Sequence, residues 1–103
     1  MSIPEYRPAN GGQCGHLGAI AAVQPSTTQG CEDCLKIGGR WVHLRECLSC
    51  GHVGCCDNSP NRHATAHWHG TGHPIIRSFE PGEIWGWCYD DEAMLLPAEP
   101  VAG

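Results

Sequence analysis

Cys47-x-x-Cys50 is followed by Cys55 and then by His63, His67 and His73. Cys31-x-x-Cys34 and Cys14-x-His16 lie upstream, and Cys88 lies downstream. Thiolates and imidazoles at these spacings suit one chemistry above others, the holding of tetrahedral zinc.

The rest of the composition shows why such sites are needed. A chain of 103 residues makes one domain. It buries only about 60–65% of its unfolded surface, so its apolar core is thin and external staples are expected. Eight Cys and seven His are the supply. A secreted disulfide scaffold is the competing reading. Residues 2–12 are polar and Pro-rich, unlike a signal peptide. Disulfides also have no use for His at fixed offsets. A reducing, cytoplasmic setting is therefore expected. No stretch reaches membrane-spanning length. The net charge of −5 and the lack of a Lys/Arg cluster exclude a nucleic-acid partner.

The donors must be positioned by few elements. Residues 1–12 read as a flexible arm, 13–94 as the domain, and 95–103, rich in Pro and Ala, as a flexible tail. Residues 40–45 alternate as a strand. Residues 51–55 form a tight turn and a short strand. Ser59 and Pro60 suit the N-cap and first position of a helix running to Trp68 or His69, with Gly70 as its stop. Residues 74–79 and 84–89 read as two more strands. The class is α+β: a small zinc-stabilised sheet with one short helix and long loops.

His63 and His67 share a helix face at i, i+4. Two such His serve one metal in His-Glu-x-x-His proteases, but Ala64 stands where the glutamate would be. A DNA-reading finger is also excluded. The gap from Cys50 to His67 is too long, and the helix has few cations.

Taken together, Trp41 to Cys50, Cys55, His63-x-x-x-His67, Thr71-Gly72-His73-Pro74 and Trp87-Cys88-Tyr89-Asp90-Asp91-Glu92 resemble the UBP-type, ubiquitin-binding zinc finger family. Cys55-Cys56-Asp57 and Ser59-Pro60-Asn61 are similar to its free-standing bacterial branch. The resemblance implies interleaved ligand sets: Cys31, Cys34, Cys55 and His63 in one site, and Cys47, Cys50, His67 and His73 in a second. Cys14, His16 and Cys88 would begin a third. Its fourth ligand in three-zinc relatives is a Cys, where this chain has Asp91. A carboxylate also ligates zinc, so Cys₂-His-Asp is the expected third site, with Asp90 as the rival donor. Two to three zinc ions are expected, three being favoured. Sites closed by four protein ligands are structural, so no enzyme activity is expected. Cys56, His43, His52 and His69 are left over as surface or flanking residues.

Strand alternation puts Trp85, Trp87 and Tyr89 opposite Cys88, where Met94, Leu95 and Leu96 could cover part of the face. The resemblance implies a pocket for the free Gly-Gly end of ubiquitin, with Trp41, Trp87, Tyr89 and Glu92 at matching positions. Relatives carry an Arg two residues after the counterpart of Cys55. Here that residue is Asp57, and carboxylate would face carboxylate; Arg45 or Arg62 would have to supply the cation. The fold and metals therefore carry over further than the ubiquitin ligand. The leading function is a non-catalytic module that binds a peptide C-terminus or a partner protein. Two alternatives stand beside it: a zinc- or redox-responsive protein using Cys56 beside Cys55, and a metal-dependent enzyme working at an open third site.

Overall fold

Six short strands make one antiparallel sheet in the computed structural model, which describes residues 5–9 and 12–98. In chain order these are β1 (Tyr6–Pro8), β2 (Leu44–Cys47), β3 (Val53–Cys55), β4 (Ile75–Ser78), β5 (Gly86–Cys88) and β6 (Ala93–Pro97). They lie in the order β1-β6-β5-β4-β2-β3. Two helices, α1 (Glu32–Ile37) and α2 (His63–Thr71), accompany a 3₁₀ turn at Leu17–Ala19. The α+β class is as expected.

Several boundaries differ from the sequence reading, each for a local reason. The expected arm and tail pair with each other: Tyr6, Arg7 and Pro8 stand opposite Pro97, Leu96 and Leu95. In β6, Ala93 and Leu95 turn inward while Met94 and Leu96 face out, the alternation of a half-buried strand. The remaining parts of the expected arm and tail, 1–4, 10–11 and 99–103, lie outside the described residues. The strand expected at 40–45 begins only at Leu44. Backbone pairing starts with the His43 carbonyl, which accepts the Cys56 N–H (2.9 Å); before it, Val42 N–H is taken by the Ser59 hydroxyl (2.8 Å), a side-chain bond in place of a strand partner.

The same bond removes Ser59 from capping duty. Helix α2 starts at His63, after Arg62 in a left-handed conformation (φ 47°). It continues through Gly70, and Gly72 (φ 77°) ends it, with its N–H on the Trp68 carbonyl. Helix α1 precedes it, only six residues long. Its N-cap is Cys31, whose sulfur accepts the Cys34 N–H, and Gly38 (φ 69°) closes it.

The apolar core is small. Ile20, Leu48, Ile75, Cys88, Ala93 and Leu95 form one cluster, with Tyr6, Cys14, Leu17 and Val23 against it. Cys31, Cys34 and Cys55 form the other, flanked by Trp41 and Leu44. Leu48, Val53, Ile75 and Leu95 are fully buried, as are Cys31, Cys34, Cys47, Cys55 and Cys88. Thiols thus occupy much of the interior that aliphatic side chains fill in larger domains.

Candidate metal centres and the aromatic groove

The backbone delivers the donors in pairs. The turn at Cys31–Cys34 is the start of α1, and the turn at Cys47–Cys50 ends β2. Gly51 (φ 87°) completes the second turn where a Cβ would sit 2.0 Å from the Gln24 carbonyl oxygen. Helix α2 packs on β3 at Gly54, where a Cβ would meet the Ala64 backbone nitrogen at 2.7 Å. That close approach brings His63 to Cys55.

Three four-donor clusters result: Cys31, Cys34, Cys55 and His63; Cys47, Cys50, His67 and His73; Cys14, His16, Cys88 and Asp91. In each, one donor atom per residue lies within 4.8 Å of the others. His63 and His67 share a helix face yet serve different clusters, so α2 bridges two centres.

Zinc bonds of about 2.3 Å to sulfur and 2.0–2.1 Å to nitrogen give tetrahedron edges of about 3.8 Å (S···S), 3.5 Å (S···N) and 3.3 Å (N···N). In the first cluster His63 Nδ1 lies 3.2, 3.3 and 3.7 Å from the sulfurs of Cys31, Cys34 and Cys55, and Cys34 and Cys55 are 4.0 Å apart. In the second, Cys47 Sγ to His73 Nδ1 is 3.5 Å, Cys50 Sγ to His67 Nε2 is 3.3 Å, and the two imidazole nitrogens are 3.4 Å apart. Both sets have the dimensions of a zinc tetrahedron.

The third is less regular. Cys88 Sγ lies 3.8 Å from His16 Nδ1 and 3.7 Å from Asp91 Oδ2, close to tetrahedral edges. His16 Nδ1 and Asp91 Oδ2 approach to 2.7 Å, a hydrogen bond. Gly15 N–H also donates to that oxygen (2.9 Å). Asp90, the rival donor, has one oxygen held by Trp68 Nε1–H (2.8 Å) and the other 3.4 Å from His16 Nε2, and it is Asp91 that stands grouped with Cys14, His16 and Cys88.

The surroundings favour bound cations. Backbone N–H groups of His16, Cys34, Ser49 and His63 donate to the sulfurs of Cys14, Cys31, Cys47 and Cys55, and the Asn61 amide donates to Cys34. Such bonds stabilise thiolates and orient them. Burial pushes the Cys31 and Cys88 thiols up to about 12 and Cys47 to about 11, with neighbouring thiols adding to the rise. A divalent ion reverses this, since coordinated sulfur is deprotonated. Burial, with His52 and His73 nearby, lowers the pKa of His67 and keeps it the neutral donor a metal needs. Hydrogen bonding to His16 holds the Asp91 carboxyl down at about 2 and raises the His16 pKa.

The leftover residues are also placed. His52 stacks on His67 (centroids 4.1 Å, 5° between planes), and its Nε2 lies 2.8 Å from Asp33. With Glu32, His52 and Asp33 form a further donor group, assembled across nineteen residues of sequence from α1 and the turn after Cys50. Cys56 is buried beside the Ser59 hydroxyl (3.6 Å) and belongs to none of the four donor groups. His43 faces Glu80 at 3.7 Å, and exposed His69 lies against Trp68.

On the outer face of the sheet is a groove of about 250 Å³, with Trp85, Trp87 and Tyr89 together on its walls. The register explains it: Ile76, Trp87 and Met94 stand side by side across β4, β5 and β6. Leu95, expected as a partial cover, points into the core instead. Tyr89 is fixed by stacking on Trp68 (4.7 Å, 9°). Asp57 and Arg45 also line the groove. Arg45 Cζ sits 4.6 Å over the Trp85 ring, and its side chain is 14% exposed. Trp41 and Glu92 do not join this group. Trp41 packs against the first thiol cluster, where Gly30 leaves room for its ring, and Glu92 is exposed in a left-handed turn (φ 49°). Arg62 is likewise outside the lining, in the left-handed residue before α2.

An antiparallel sheet tied by Cys/His clusters defines a zinc-binding domain of the α+β class. The chain belongs to the family described as Zn-finger in ubiquitin-hydrolases and other protein, which its residues 31–99 match. It is also similar to protein RPA1320 from Rhodopseudomonas palustris, known from a solution NMR structure. The two are 56% identical, the match covers 88% of this chain and 91% of that one, and the TM-score is 0.75.

Proposed function

We propose that this protein is a non-catalytic recognition module, stapled by three structural zinc ions, whose groove receives the carboxyl end of a peptide or partner protein. Four protein donors around each ion would leave no position for substrate, so the ions serve the fold. All eight cysteines are unpaired with one another, which suits a reducing, cytoplasmic setting. Among the described residues no helix is long and apolar enough to cross a membrane.

One observation carries the groove reading. The Arg45 guanidinium lies over Trp85 in the lining, and its only hydrogen bonds among the described residues leave from Nη1, to Leu44 O (2.9 Å) and Ser78 Oγ (3.5 Å). Its remaining donors suit a carboxylate, and the aromatic walls suit an extended backbone. Arg45 would thereby supply the cation that Asp57 does not.

The test titrates the zinc-loaded protein with short peptides ending in Gly-Gly, as free acids and as amides, followed by tryptophan fluorescence. The free acid should bind more tightly. Arg45→Ala should weaken it about tenfold or more and erase the difference. Trp87→Ala should abolish binding with zinc content unchanged. Equal affinity for acid and amide would overturn the reading. Native mass spectrometry should count three zinc ions.

A further inference from the structure

Two opposite charges line the groove without neutralising each other. The ion-pair partner of Arg45 is Glu83, at 3.9 Å. Asp57 is exposed, and one of its oxygens accepts the Thr65 hydroxyl. Among the described residues no ion pair joins Arg45 to Asp57, and the second Asp57 oxygen takes no hydrogen bond. The Thr65 hydroxyl lies 3.4 Å from the Tyr89 hydroxyl, so Asp57 is anchored at the Tyr89 wall while Arg45 is anchored at Trp85. The groove therefore presents a cation and an anion on separate supports, joined by aromatic surface.

We propose, building on the groove reading above, that the preferred occupant is dipolar: a chain end whose free carboxylate goes to Arg45 and whose penultimate residue is a lysine or arginine that reaches Asp57. The volume of about 250 Å³ is just below the size at which small-molecule pockets begin, about 300 Å³, and suits one or two residues of a peptide. Aromatic walls accept the alkyl stem of a basic side chain and attract its charged head. The chain's net charge of −5 disfavours acidic chain ends, which a basic side chain beside the carboxylate neutralises. An acidic residue at the same place would face Asp57 and lose affinity.

Three free-acid peptides identical except for the penultimate residue test this on the zinc-loaded full chain: one ending Lys-Gly, one Gly-Gly and one Glu-Gly. The Lys-Gly peptide should bind about fivefold more tightly than Gly-Gly, the scale of one partly exposed ion pair, and Glu-Gly should bind least. Asp57→Asn keeps an oxygen for Thr65 and should remove the lysine margin while preserving the preference for acid over amide. Equal binding of the Lys-Gly and Gly-Gly peptides by the unaltered protein would overturn the dipolar assignment, and so would a lysine margin that survives Asp57→Asn. Either result leaves Arg45 as the carboxylate site. Loss of the acid-over-amide preference would instead remove the groove reading itself. The peptide series needs no variant, so a folding defect cannot obscure the answer.

Discussion

The two inner clusters and the third differ in donors, burial and packing. Each inner cluster holds only Cys and His, and its donor separations match a zinc tetrahedron. Three of the four residues in the first are buried. The third replaces a thiolate with Asp91, and the His16 and Asp91 side chains are 39% and 29% exposed. Its His–Asp pair is already hydrogen-bonded at 2.7 Å. A metal must part that pair, whereas nothing comparable closes the inner clusters. The inner sites take the place of a core, and the third ties residues 14–16 to the turn after β5.

The largest expected effect breaks an inner site. Cys34→Ser removes a fully buried ligand. Metal binding contributes about 10 kcal/mol or more in structural zinc modules, comparable with the whole stability of a small domain. Circular dichroism should show no cooperative melt, and native mass spectrometry should show loss of zinc. A folded, cooperatively melting variant would contradict the equivalence of metal and core.

Asp91→Ala should act on a smaller scale. The two inner ions should remain, and Tm should fall by roughly 5–15 °C, the scale of one to three kcal/mol in a domain of this size. Asp91→Cys should slow zinc release from this site in a chelator assay and bring it closer to the inner pair. Tyr89 and Asp90 lie between the ligands Cys88 and Asp91, and Asp90 holds the Trp68 that stacks on Tyr89. Removing the third metal should therefore change tryptophan fluorescence at the groove as well. An unchanged spectrum would mean that the hydrogen bonds alone fix that wall.

Acid should reveal the same order. In the metal-free fold burial raises Cys31 to about 12 and Cys47 to about 11, above the ordinary thiol value near 9. Each thiol then holds its proton through neutral pH, and zinc must displace it. Lowering pH favours the proton, so zinc affinity falls with acid and rises with base. Asp91, held at about 2, contributes no proton competition above that value, but His16, with its raised pKa, does. Cys88 is raised to about 12 as well, so thiol protons compete at all three clusters and do not order them. The difference lies in the imidazoles: His16 is raised in the third cluster, whereas His67 is lowered in the second. The third ion should therefore leave before the second as pH falls, in a mass-spectrometric pH series.

The donors were legible in the sequence because Cys and His at short fixed offsets have few other uses. Their partition into clusters was not legible from spacing alone: His63 and His67 share a helix face and still divide between two centres. The resemblance to a known family supplied that division. The strands expected at residues 74–79 and 84–89 are present, shorter, as Ile75–Ser78 and Gly86–Cys88. The edge pairing of Tyr6–Pro8 with Ala93–Pro97 was not legible, because Pro-rich termini read as loops until a partner strand is known. Ser59 looked like a helix cap, and its hydroxyl instead serves Val42, seventeen residues away in sequence. Trp41 looked like a groove wall and instead covers the first thiol cluster. In each miss the deciding contact is long-range, and local propensity carries no record of it.

The smallest expected effect concerns the support of the second cluster. Cys50 is its exposed corner, and His67 shares that edge at 3.3 Å. His52 is stacked flat against His67 and held by Asp33, with 12% of its side chain exposed. This brace limits rotation of a ligand ring beside the most accessible thiol. Partners that orient a metal ligand are typically worth about 10–100-fold in affinity when lost. His52→Phe keeps a ring for stacking and removes the bond to Asp33, so zinc release from this site should accelerate by only a few-fold. His52→Ala removes both contacts and should reach about tenfold. His52 reaches the first cluster only through Asp33, inside the Cys31–Cys34 turn, so zinc release there should accelerate less than at the second cluster in both variants. If Phe and Ala behave alike, the Asp33 hydrogen bond is the working part of the brace; if Phe matches the unaltered protein, stacking alone holds the ring. Equal acceleration at both inner clusters would mean that His52 stabilises the fold in general, and that the second site has no support of its own.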